Sequence, residues 1–147
     1  MKKDRSALLT LVALGILGGL LVFLAFSAPR LAYLFVETFD RPAAIVTPIL
    51  TTFYTILPFA AGVLVCMWKL LCNILSGEVF LPANVLLLRI VGILLFFATI
   101  IFAVAGYWYM PFYLLAVCAA FITLIVRVVK NCFAAAVVLK DENDMTI

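Results

Sequence analysis

Four long apolar runs leave this chain almost no choice of solvent. They cover roughly residues 7–28, 43–72, 85–106 and 112–139, and a helix needs about 20 such residues to cross a hydrocarbon core of about 30 Å. Inside a bilayer no water is present to bond the backbone, so only helices and closed barrels satisfy it. These runs lack the apolar–polar alternation of barrel strands. The expected fold is an all-α integral membrane protein: four transmembrane helices in one bundle, a single domain, with a short tail at residues 140–147. Composition agrees. The 147 residues are 69% hydrophobic and 12% charged, whereas a soluble domain is about 45–50% apolar and about 25% charged.

Basic residues predict the orientation. With both termini cytoplasmic, the inner side holds Lys2, Lys3, Arg5, Lys69, Arg89, Arg127, Lys130 and Lys140, and the outer side only Arg30 and Arg41. That asymmetry follows the positive-inside rule for a multi-pass membrane protein. The outer connections, "PRLAYLFVETFDRP" and "YWYMP", are rich in the aromatic residues of an interfacial belt. "MKKDRS" resembles the basic start of a signal peptide. The apolar stretch behind it is longer than the about 7–15 residues of a signal core, so a retained helix is expected. Pro48 and Pro58 should bend the second helix. The last turns of the fourth, "NCFAAAVVLK", should project into the cytoplasm.

Little in the chain can do chemistry. It has no histidine, which excludes histidine ligation of haem. Cys66, Cys72, Cys118 and Cys132 lie in apolar runs without metal-ligand or disulfide spacing, and read as small buried hydrophobes. No ionisable residue falls at mid-span, where a pump or transporter needs one. Lys69, Arg89, Arg127 and Lys130 sit near the inner ends of their helices, within snorkelling reach of headgroups. Glu37 and Asp40 fall in the outer connection. Hydrolase motifs are absent. The reading is a non-enzyme with no catalytic, cofactor or metal residues. Its scattered cations imply no direct nucleic acid binding.

Each span also carries a stripe of small residues: Gly15, Gly18 and Gly19; Thr47, Thr51, Thr55, Pro58 and Gly62; Gly92, Thr99, Ala103 and Gly106; Ala116, Ala120 and Thr123, leading to Arg127. Such stripes let helix backbones approach within one bundle. A threonine-lined permeation path along the second helix is the sharper alternative.

The polar interruption "SGEVFLPAN" at residues 76–84 faces the cytoplasm in this topology. Gly77 suits the left-handed position that ends a helix. Asn84 suits the cap that starts the next, with Phe80 packed under the bundle and Val79, Phe80 and Leu81 forming an apolar anchor. The tail "KDENDMTI" carries Asp141, Glu142 and Asp144. Acid at a helix C-terminus opposes the macrodipole. The tail therefore either remains a solvated cap, folds back on the basic rim of Lys69, Arg89, Arg127 and Lys130, or stays free for a basic partner. Glu78, Phe80, Asn84, Arg89, Asp141, Glu142 and Asp144 are the candidate contact residues.

"LLCNILSGEVFLPANVLLLRIVGILLF" with a terminal "LKDENDMTI" resembles the bacterial family catalogued as domain of unknown function 2975. The specific part is the closing motif, carried by Glu142, Asn143, Asp144, Met145, Thr146 and Ile147. Phe80 and Asn84 align with the family's loop, whereas Leu81-Pro82 stands where a small hydroxyl residue usually follows the phenylalanine. The resemblance implies four transmembrane helices and no established activity. It also implies a gene often placed beside one for a very small helix-turn-helix transcription regulator. Besides the bilayer itself, the partner so implied is that regulator, with this chain its regulatory or sensor companion. The alternative is a small channel, transporter or immunity-type membrane protein acting on its own.

Overall fold

The computed structural model describes residues 2–146. Met1, Ile147 and the side chains of residues 2–4 lie outside the described residues. With them go the Lys2 and Lys3 charges of the basic count and the last position of the terminal motif. Four helices carry the chain: α1 (Lys2–Thr38), α2 (Val46–Leu75), α3 (Pro82–Ala105) and α4 (Pro111–Met145), with a short 3-10 turn at Ala43–Ile45 before α2. Each is long and apolar enough to span a bilayer, as expected of a multi-pass membrane protein.

Two helices overrun their apolar segments. α1 continues ten residues beyond Ala28, passing through Pro29, so most of the expected outer loop is helix and Glu37 lies in its last turn. The real stop is Asp40, at φ 47°, a left-handed conformation that a short polar side chain tolerates. There the Arg41 N–H donates to the Val36 carbonyl at 2.9 Å, which closes the helix end. α4 runs through the acidic segment to Met145. No glycine or proline interrupts "KDENDM", and the helix persists.

Proline acts differently at its three sites in α1 and α2. Pro48 lies in the first turn of α2, directly after the 3-10 turn, where proline is tolerated. Pro58 lies inside α2, which continues through it. The Thr55 hydroxyl donates to the Thr51 carbonyl at 2.7 Å, so it does not serve the Tyr54 carbonyl that Pro58 leaves without its helical donor. Pro29 strips the Ala25 carbonyl of its helical donor. The Tyr54 hydroxyl, reaching across from α2, donates to that carbonyl at 3.0 Å.

The helices form an antiparallel row. Ala25 meets Tyr54, Asn73 meets Asn84, and Phe102 stacks near Phe112 with ring centroids 6.1 Å apart. Each helix therefore packs on its sequence neighbours, most extensively α3 on α4. A Cβ on Gly106 would lie 2.6 Å from the Tyr113 ring, so any larger residue there would displace that ring from the turn between them. Among the described elements, α1 packs on α2 and the 3-10 turn but on neither α3 nor α4. Its buried residues, Ala28, Ala32 and Val36, are confined to its C-terminal part. Ala32 and Val36 cluster there with Val46. The bundle is thus open between α1 and α4, over an apolar cavity of about 530 Å³ to which all four helices contribute, among them Leu24, Phe59, Phe102 and Ile122.

Not every small-residue stripe packs. Ala116 and Gly106 are buried between α3 and α4, but Thr47, Thr51, Thr55 and Pro58 are exposed on α2. The threonine stripe faces outward and lines no path within a single chain. Thr52 is the buried threonine of α2, its hydroxyl donating to the Pro48 carbonyl at 2.7 Å. A Cβ added at Gly18 or Gly19 would meet nothing within 4 Å. All four cysteines are free thiols, Cys66 buried and Cys118 and Cys132 exposed, so the last two are not the buried hydrophobes expected.

Candidate functional site

Residues 76–84 are a polar interruption between two apolar spans, and their conformation is tightly specified. Ser76 ends α2 and Gly77 follows at φ 82°, the left-handed position expected from sequence. The Gly77 N–H donates to the Ile74 carbonyl at 3.1 Å and the Glu78 N–H to the Asn73 carbonyl at 3.0 Å. Together they satisfy the end of α2 in the paired arrangement of a Schellman motif.

Asn84 does not cap α3, contrary to the expectation from sequence. α3 starts at Pro82, after an extended Leu81 at φ −104° and ψ 143°. Proline fits the first helical position and disfavours helical geometry in the residue before it. That places Asn84 in the first turn with its side chain turned inward, 0% exposed. Its amide nitrogen donates to the carbonyls of Glu78 at 2.9 Å and Val79 at 2.8 Å. Its amide oxygen accepts from the Asn73 side chain at 2.7 Å. Both amide protons are used and the oxygen is paired, which is what burial of a primary amide demands. One side chain thus ties the loop to both helices it joins.

Around this lock the loop presents Glu78 and Phe80, both exposed. Phe80 is 44% exposed, and its ring lies 6.3 Å from that of Phe133 on α4. It packs against the side of α4 at the rim and does not tuck beneath the bundle. The Phe80–Phe133 contact also sets the level of α4. From Phe133 to Met145 the helix continues for about 18 Å at 1.5 Å per residue; Val137 is still buried, and from Val138 to Thr146 every residue is exposed. Asp141, Glu142 and Asp144 are exposed and helical on this extension, so the tail does not fold back onto the basic rim. Its end is capped by Thr146, whose hydroxyl donates to the carbonyls of Glu142 at 2.7 Å and Asn143 at 3.2 Å. That role for the motif's threonine was not read from sequence, although a hydroxyl residue ending a helix is its visible signal.

The structure therefore brings Glu78, Phe80 and Asn84 together and sets Asp141, Glu142 and Asp144 on a neighbouring helical post. Arg89 stands apart. It lies two turns into α3 and shares a groove with Arg127 and Lys130 of α4. Among the described residues no cluster of three or more metal-ligating side chains occurs. Neither the curated proteins nor the solved structures contain a match to this chain. A family model does match, over residues 24–147, a stretch that includes the loop, the Asn84 lock and the acidic post. The chain belongs to the family described as protein of unknown function (DUF2975).

Proposed function

We propose that this is a non-enzymatic, multi-pass protein of the bacterial cytoplasmic membrane that acts as the regulatory or sensor partner of a small cytoplasmic helix-turn-helix transcription regulator. The observation that carries the reading is the pairing of a fixed loop bearing exposed Phe80 with a helical post bearing three exposed carboxylates. Aromatic side chains anchor interfaces. Carboxylates steer a basic partner by the same electrostatics through which phosphates attract DNA-binding surfaces. These carboxylates stand at a helix C-terminus, where the macrodipole opposes them, and the last turn holds no basic residue to compensate. A cationic partner would remove that penalty. The gene neighbourhood implied by the family resemblance supplies a partner of the right chemistry.

The test is association between the full chain in mild detergent and the neighbouring-gene regulator. Replacing Asp141, Glu142 and Asp144 together by Asn, Gln and Asn should weaken binding by about ten- to hundredfold. The interaction should also fall as salt is added. Unchanged affinity at low salt would remove the post from the interface. Solute flux through liposomes containing this chain alone would favour a channel or transporter instead.

A further inference from the structure

We infer that the groove between α3 and α4 at Arg89, Arg127 and Lys130 binds the phosphate of an anionic membrane phospholipid. The groove encloses about 270 Å³ and carries these three cations with no carboxylate in its lining. Counted from the opposite ends of their helices, Ala105 and Pro111, Arg89 and Arg127 sit at the same depth, about 24 Å along the axis. A hydrocarbon core is about 30 Å thick, so both backbones lie just inside its edge while their guanidinium groups extend toward headgroup level. Lys130 is one turn nearer the surface, on the same face of α4 as Arg127.

Three like charges held together at the edge of a low-dielectric medium repel one another. Among the described residues no carboxylate lines the groove to counter them. The Thr123 hydroxyl, also in the groove, donates to the Ala119 carbonyl at 2.7 Å, so the cations are the groove's free polar donors. Away from them the groove continues along Ile93 and Phe96 toward the membrane centre, an apolar track for an acyl chain. A phosphate at the mouth with a chain behind it describes a phospholipid. The excess of positive charge selects one with net negative charge, and the two arginines can grip its phosphate oxygens bidentately.

Native mass spectrometry of the full chain in mild detergent tests this. The protein is titrated with phosphatidylglycerol and with phosphatidylcholine of identical acyl chains. Phosphatidylglycerol should bind at least about tenfold more tightly. The R89Q/R127Q variant should lose that preference, whereas R30Q/R41Q should keep it. If R89Q/R127Q is not recovered folded, K130Q should reduce the preference and R89K/R127K, which keeps the charge, should retain part of it. Equal binding of the two lipids overturns the inference. So does a preference that survives both R89Q/R127Q and K130Q, or one that R30Q/R41Q abolishes as well. Displacement of phosphatidylglycerol by millimolar inorganic phosphate would assign the groove to the free anion and overturn the lipid as occupant.

Discussion

Replacing Asn84 by leucine, a side chain of similar size, would strand the Glu78 and Val79 carbonyls and the Asn73 amide at one stroke. Leaving buried polar groups without partners costs about 1–3 kcal/mol each, and partial rehydration of the loop recovers some of it. Asn84→Leu should therefore lower unfolding stability in detergent by about 2–4 kcal/mol. A loss below about 0.5 kcal/mol would show that water replaces the amide. Gly77→Ala, forced to φ 82°, should cost about 1 kcal/mol by the same measurement. These two residues differ in how they can be read. A left-handed turn demands a residue type, so Gly77 announces itself. Asn84 stands before an apolar run, as a helix cap does, and its actual partners are backbone carbonyls whose position depends on the path of the loop. Pro82 marked the true start of α3, but only the folded loop shows that Asn84 is left free to turn inward.

The elements were legible in number and order, and less so in extent. Bilayer thickness sets a minimum length for each apolar run, which is why four spans can be counted directly. It sets no maximum, and α1 and α4 exceed it. The first apolar run ends just before Pro29, and α1 continues through it, although a proline inside a helix frees a carbonyl. Within a bundle a neighbouring side chain can satisfy the freed carbonyl, and here Tyr54 does so. The two residues should consequently be coupled. Tyr54→Phe alone should destabilise by about 1 kcal/mol. With Pro29→Ala already in place, a main-chain N–H again serves the Ala25 carbonyl, and the cost of Tyr54→Phe should fall toward zero. A double-mutant cycle on detergent unfolding measures this. Strict additivity would mean that the Tyr54 hydroxyl does not serve the carbonyl that proline exposes.

At the scale of the whole molecule, composition dictates the medium but not the arrangement, because leucine facing lipid and leucine facing a helix have similar surroundings. That α1 lies at one edge of an open row, with α4 at the other, could not be read from its apolar pattern. Sidedness rests on the distribution of basic residues and can be checked directly. In a cysteine-free background, D40C and Y109C should react with an impermeant maleimide on intact cells, and E78C and D144C only after permeabilisation. Reaction of E78C or D144C from outside would invert the topology and place the acidic post away from any cytoplasmic partner. Accessible cysteines at both ends of one helix pair in intact cells would reject the four-pass arrangement. The Asn84 lock has a consequence for how such a face can diverge. Its amide grips the main chain of Glu78 and Val79, which every amino acid supplies alike, and ignores their side chains. The identity of the exposed residue at position 78 is thereby uncoupled from the shape of the loop, so substitutions there change the surface the loop presents while the scaffold beneath keeps its form.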